Sequence, residues 1–388
     1  FGGKNSKEYV CRLMGLRFST ASGYLFSVDN HLSESALEVR NAIKAELKDF
    51  LAAQRGYLTS IADELIPVCD ALDEYLLDGG KRLRPLFGYA GFLSTGKIPG
   101  KNDVRALSSL ELLQACALIH DDLMDGSDTR RGKPSIHRQF ETLHSKNSLA
   151  GAPAQFGQAA AVLLGDLALV WSDQMLHQSG ISTESLTAAL SIHDEMRVEL
   201  MAGQYLDVRE AGEKAHDVKR SLRIARFKSG KYTIERPLHL GAVIAEPNPN
   251  RHAPLLHALS AYGLPLGEAF QLRDDLLGIF GDPATTGKPA GDDLREGKRT
   301  VLIAMALEKT SSSGRSELMK HLGASDLTSA QVENLRHIIT ESGAVAEVEK
   351  LINQLADESN SAAHNDVIHE KARPFLLALA ESATKRSY

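Results

Sequence analysis

The chain has 388 residues, 43% of them hydrophobic, and a formal net charge of −6. That is the balance of a globular protein with a sizeable core, built as one large or two ordinary domains. It gives no basic surface for nucleic acid. Three scattered cysteines, Cys11, Cys69 and Cys116, exclude a disulfide framework or a zinc cluster and predict a reducing, cytoplasmic setting. No uncharged apolar run reaches about 18 residues, so no membrane span is expected.

Residues 1 to about 31 mix Gly, Ser, Lys and Arg without a sustained period and read as a poorly ordered tail. Glu8 and Asp29 interrupt any targeting pattern. From Ser33 the spacing turns helical, through Ala36, Val39, Ile43, Leu47 and Leu51, then Ile61, Leu65, Val68, Leu72 and Leu76. Pro67 predicts a kink or restart, and Gly79-Gly80 a stop. Lys81-Arg82-Leu83-Arg84-Pro85 then brings three cations to a helix start, where exposed N–H groups favour an anion. A basic loop capping a helix is the plainer alternative.

A long helix is predicted from about Val104 to Asp125, with Leu110, Leu113, Ala117 and Leu118 along one broad side. Gln114 is embedded there, as a satisfied core amide or a site residue. A polar segment with a short amphipathic piece fills 133–155, and helices follow over 156–176 and 184–208. In 218–245, Lys228-Ser229-Gly230-Lys231 is a weak phosphate signal. Pro247, Pro249 and Pro254 predict a loop; a helix from about Leu256 breaks at Gly263-Leu264-Pro265, where the next begins. A Gly- and Lys-rich loop spans 286–299, and amphipathic helices with turns at 311–315 and 359–363 complete the chain. No strand alternation or repeat emerges, so the expected fold is an all-α single domain.

Two acidic groups carry the chemistry. Asp121, Asp122 and Asp125 follow an apolar run, and Asp121 and Asp125 lie one helical turn apart on one face. Like charges that close are costly unless a cation joins them, and such oxygens suit Mg²⁺ shared with a phosphate. Arg130 and Arg131 follow, suited to bidentate phosphate contacts. Taken alone, the group is as often a solvated helix end. A second pair, Asp274-Asp275, again beside apolar residues, weighs against that. A di-iron site is dismissed: Glu141/His144 and Glu213/His216 have the spacing but lie in polar stretches. There is no Walker loop, Gly-x-Gly-x-x-Gly or Gly-x-Ser-x-Gly. His120 abuts the aspartates, and an outer hydrogen bond to them is its expected role.

These motifs, in this order, resemble the trans-isoprenyl diphosphate synthases, the family of farnesyl and geranylgeranyl diphosphate synthases. Asp121-Asp122-Leu123-Met124-Asp125 with Thr129-Arg130-Arg131-Gly132 resembles the first aspartate-rich motif, Gln271–Asp275 the second, and Gly80-Lys81-Arg82-Leu83-Arg84-Pro85 the isopentenyl diphosphate site. The resemblance implies an isoprenoid-synthase-type helical bundle around a central apolar cavity, spanning 32–388. It implies three Mg²⁺ per site, with Mn²⁺ as a substitute, on Asp121, Asp122, Asp125, Asp274 and Asp275. It gives the allylic diphosphate to Arg130, Lys228, Ser229, Gln271, Lys288 and Lys298, and the isopentenyl diphosphate to Lys81, Arg84, Gln114 and Arg131. Relatives are usually homodimers, and the apolar helix over 156–176 is a candidate partner face that the sequence alone does not establish. One departure stands out: the second motif usually ends in a third Asp, and here that residue is Gly278.

The implied reaction is a 1'-4 condensation through an allylic carbocation, with the growing chain running along the helix before Asp121. Small residues at Cys116 and Ala117 leave that path open for another isoprene unit, one turn being about 5.4 Å. Leu113 or Leu112 would be the floor. Geranylgeranyl diphosphate is the expected product, with a longer polyprenyl (or a farnesyl) diphosphate as the alternative. A class I terpene cyclase is remote, because it would lack the Gly-Lys-Arg-x-Arg-Pro stretch and the second Asp-Asp.

Overall fold

The computed structural model describes residues 21–213, 217–282, 291–324 and 326–385, with side chains from residue 35 onward. Lys288, His216 and residues 1–20 of the expected tail lie outside them. Helices make up nearly everything described. The first, α1 (Ala21–Ile61), begins well before Ser33, so the expected tail is helical from residue 21. A 3₁₀ turn then leads into α2 (Ile66–Leu77), where Pro67 sits in the first turn and restarts the helix, as its fixed φ favours. Gly79 and Gly80, both at positive φ, end it. Next come α3 (Leu83–Leu93) and α4 (Lys101–Met124).

The structure places α4 at the centre. Leu107, Leu110, Leu112, Leu113, Ala115, Cys116 and Ile119 are all buried, on every side of the helix rather than one broad side. Around it pack α1, α2, α3 and two further helices, α6 (Pro153–His177) and α9 (Arg236–Ala245). Between them in sequence lie α5 (Ile136–Lys146), α7 (Thr183–Ala211) and α8 (Val218–Ala225). Helices α3 and α9 interlock through glycine: a Cβ on Gly241 would lie 1.8 Å from the Gly88 carbonyl oxygen, and one on Gly91 1.9 Å from that of Leu238.

Three features depart from the sequence reading. A two-residue hairpin pairs β1 (Thr129–Arg130) with β2 (Lys133–Pro134). Arg131 and Gly132 both have positive φ at its turn, the twist that two-residue hairpins favour. The segment Arg226–Glu235 between α8 and α9 is a π-helix, a wide turn typical of functional sites. The predicted break at Gly263-Leu264-Pro265 is absent: α10 runs unbroken from Pro249 to Phe280 with Pro254 and Pro265 inside it. Packing overrides proline here. Gly263 and Gly267 let α10 lie directly on Glu235 and Gly230 of the π-helix.

The chain continues with the short α11 (Asp292–Glu296), then α12 (Val301–Lys309), α13 (Ser312–His321), α14 (Ser329–Glu341), α15 (Ala344–Ala362) and α16 (Arg373–Thr384). Helices α11 to α15 make a second cluster with the C-terminal half of α10, while α16 packs into the main core. By length and composition α6 is apolar enough to cross a membrane, although no such span was expected. Half of that apolar window is buried, and the helix packs on α4 and α5.

Candidate active site

A cavity of about 1000 Å³ opens between the C-terminal end of α4, the π-helix, α10 and α11. Three cationic groups and two acidic ones meet on its wall.

At the first acidic group each carboxylate is held by a cation from another element. Asp121 accepts from Lys228 Nζ at 3.1 Å and from Gln204 Nε2 at 2.9 Å; Lys228 also reaches Asp207 at 2.6 Å. Asp122 is only 1% exposed and is gripped through both oxygens by Arg130, at 2.9 and 3.1 Å from Nε. Asp125 caps α4 and pairs with Lys298 at 3.2 Å. Burial opposes ionisation of Asp121, but Lys228, Lys298 and Arg130 together hold its carboxyl below the usual range. Burial pushes Asp125 up to about 6 against the pull of Lys298. Burial opposes the charge on Lys228, yet Asp121 and Asp207 hold it protonated.

The second group lies across the cavity on α10. Asp274 is exposed and Asp275 is buried. Gln271 Nε2 donates to Asp275 Oδ1 at 2.7 Å, while Oδ2 has no hydrogen-bond partner. Burial pushes the Asp275 carboxyl up to about 8. Arg273, on the opposite face of α10, is tied to Glu349 at 2.6 and 2.8 Å and anchors the helix on α15.

The third wall is basic. Lys81 and Arg84 line it at the start of α3. Arg84 lies over the Tyr232 ring at 4.2 Å and donates to Thr233 at 2.8 Å. Arg82, between them, forms a buried pair with Glu111 at 2.6 Å and holds the loop. The hairpin splits its two arginines: Arg130 returns to the aspartates, and Arg131 lies over Tyr75 beside Gly80. Lys133 fastens the hairpin to Glu74 of α2 and to Asp78 at its C-terminal cap. The π-helix puts Lys228, Ser229, Tyr232 and Thr233 on the wall, and Tyr232 donates to Gln114 at 2.9 Å.

Most residues expected from the sequence therefore converge. His120 does not: its ring faces Val162 and Asp166 of α6, and Gly165 gives it room. Ala117 and Leu118 are on the cavity wall, whereas Cys116, Leu112 and Leu113 are fully buried behind it. Gln204, Asp207, Tyr232, Thr233 and Asp293 are additions that sequence reading passed over. Gln204 and Asp207 lie near the end of the helix expected over 184–208 and meet Asp121 and Lys228 only in three dimensions.

Among the described residues, no three carboxylate, imidazole or thiol groups already converge on one point. The donor set still fits a hard divalent cation: all oxygen, partly buried, with one orphaned carboxylate oxygen on Asp275. Lys228 and Lys298 hold Asp121 and Asp125 in ion pairs on the cavity wall.

Acid and base face one another here around an apolar wall, the arrangement of a helical enzyme that transfers prenyl groups from diphosphate esters. The profile of the polyprenyl synthetase family matches residues 67–339, and the chain belongs to that family. A geranylgeranyl pyrophosphate synthase from Corynebacterium glutamicum, solved with isoprenyl diphosphate and magnesium, is similar at 41% identity and a TM-score of 0.86, over 90% of this chain and 99% of that one. The geranylfarnesyl diphosphate synthase of Aeropyrum pernix is 32% identical over 69% of this chain and 77% of its own length. The farnesyl diphosphate synthase of Escherichia coli is 30% identical over 76% and 96%. The chain is a trans-prenyltransferase. Three product lengths among these relatives mean that family membership does not decide its product.

Proposed function

We propose that the chain condenses isopentenyl diphosphate 1'-4 with an allylic diphosphate to give geranylgeranyl diphosphate. The observation that carries the product length is the wall of α4. Ala117 and Leu118 leave the cavity open below Asp121, and Leu113 packs one turn deeper in the cluster that also holds Leu200 and Tyr232. The 41% identity to a geranylgeranyl pyrophosphate synthase supports the same length. A longer product is the second reading, favoured by the geranylfarnesyl relative and by the softness of a leucine floor.

In this reading Asp121, Asp122, Asp125, Asp274 and Asp275 hold Mg²⁺, three ions per site, with Mn²⁺ able to substitute. The metal supplies charge neutralisation for the departing diphosphate. Lys228 and Lys298 turn from Asp121 and Asp125 to that diphosphate, where Arg130, Ser229, Gln271 and Lys288 also serve it. Lys81, Arg84 and Arg131 hold the isopentenyl diphosphate, with Gln114 behind them. Ala117, Leu118, Phe270 and Leu277 keep water from the allylic cation. No histidine is among the described residues that line the cavity, which fits the released diphosphate taking the final proton. The working form is a cytoplasmic homodimer.

The product profile tests this. The purified protein is incubated with Mg²⁺, labelled isopentenyl diphosphate and dimethylallyl, geranyl or farnesyl diphosphate in turn, and the dephosphorylated alcohols are separated. A single twenty-carbon alcohol is expected. A ladder of longer alcohols would select the second reading, and no incorporation would overturn both.

A further inference from the structure

The space above Gly278 is occupied. A Cβ built there would lie 1.8 Å from Oδ2 of Asp293 and 3.0 Å from Oδ1. The Asp293 carboxylate thus rests on the backbone of α10 one turn beyond Asp274, on the same helical face. It arrives from α11, whose two ends are glycines in left-handed conformation, Gly291 at φ 70° and Gly297 at φ 72°. The side chain is 13% exposed, and it lines the cavity together with Asp274 and Asp275. Asp275 is 3% exposed and carries the unpartnered Oδ2. A buried carboxylate oxygen with no donor, beside two more carboxylates, is costly unless a cation joins them. Lys298 Nζ stands 3.7 Å from Asp293 and 3.2 Å from Asp125, between the two acidic groups.

We propose that Asp293 is the third carboxylate of the second acidic group, holding a divalent cation with Asp274 and Asp275 from the place that an aspartate at 278 would fill. The inference rests on the metal-and-diphosphate reading above. It explains why residue 278 is glycine: a side chain there and the Asp293 carboxylate need the same volume. It also makes the site depend on α11. The second acidic group is complete only when α11 packs on α10, and that packing brings Lys298 in with it.

The test is a carboxylate exchange in the full chain. Asp293→Asn, Gly278→Asp and the double variant Gly278→Asp/Asp293→Ala are compared for Mn²⁺ binding, read by electron paramagnetic resonance with inorganic diphosphate present, and for metal-free thermal unfolding. Asp293→Asn is expected to lose about tenfold or more in Mn²⁺ affinity while unfolding at a near-normal temperature. Gly278→Asp is expected to unfold earlier, since its new side chain meets Asp293. The double variant is expected to recover both the unfolding temperature and most of the affinity. Wild-type Mn²⁺ affinity in Asp293→Asn, or a folded double variant with no recovery, would overturn the inference alone. No Mn²⁺ uptake by the wild-type chain would overturn the metal-and-diphosphate reading and this inference with it.

Discussion

Burial decides the protonation of Asp275. Its carboxyl stands at about 8, raised by desolvation; the Gln271 amide opposes this, and Asp293, Asp274 and Asp207 add to it. The folded chain therefore keeps a proton that the unfolded chain has released. The sign follows: this residue's contribution to stability falls as pH rises from the ordinary carboxylate range, about 4, towards 8. Asp121 has the opposite sign. Its carboxyl is held low, so it adds stability above the ordinary range and loses it as pH falls. A cation entering the second group must expel the Asp275 proton. Binding of Mg²⁺ with inorganic diphosphate near neutral pH should release protons and tighten as pH rises towards 8. Calorimetry in two buffers of different ionisation heat would reveal the release, and equal heats would count against it. At Asp121 itself, Asp121→Ala should abolish turnover by removing a proposed metal ligand and leaving Lys228 to Asp207 alone; full activity in that variant would refute its role.

At the scale of elements, α4 and the π-helix do different jobs. Helix α4 brings its acidic end to the cavity and its apolar body to the core. Ala117 faces the opening, so Ala117→Phe should shorten the product. Cys116 does not face it. The structure puts Cys116 in the packed core, with its thiol pushed up to about 12 by burial. Cys116→Phe should therefore cost stability, about 1–3 kcal/mol from overpacking, with a smaller effect on chain length than Ala117→Phe. Product chromatography of both variants separates the two roles, and a shorter product from Cys116→Phe alone would reverse the assignment. The π-helix depends on close backbone packing. A Cβ on Gly267 would lie 2.5 Å from the Cα of Gly230, so Gly267→Ala should cost about 2 kcal/mol in denaturant unfolding and displace Lys228. Unchanged stability would mean the two helices can part freely.

For the whole molecule, the exposed apolar residues concentrate on two neighbouring stretches. Val162, Leu163 and Val170 of α6 and Val198, Met201, Tyr205 and Val208 of α7 all face outward. Exposed apolar residues grouped on two successive helices suit an interface, and a second copy of the chain is the proposed occupant. Leu163→Glu should shift the sedimentation coefficient towards that of a monomer. A wild-type chain that already sediments as a monomer would remove the proposal.

The acidic and basic motifs were legible because their chemistry is local. Asp121 and Asp125 share a face by helical periodicity alone, and the glycines, cations and helix start at 79–85 are visible as a group without any tertiary contact. The all-α architecture was legible for the same reason, since apolar spacing near 3.6 is written along nearly every segment. Pairings between distant segments were not. Nothing in 292–296 marks Asp293 as a neighbour of Gly278, and nothing in 203–207 marks Gln204 and Asp207 as partners of Asp121 and Lys228. Local rules also misplaced what packing overrides. Pro265 reads as a break, yet α10 runs through it because Gly263 and Gly267 let the helix pack directly on the π-helix; His120 reads as a partner of the aspartates, yet it turns to α6 because Gly165 leaves room. The sequence by itself determined which groups carry charge and which segments coil, because both depend on neighbours within a turn. Only the tertiary structure decided which carboxylate meets which cation, because that depends on residues that chain folding alone brings within a few ångströms.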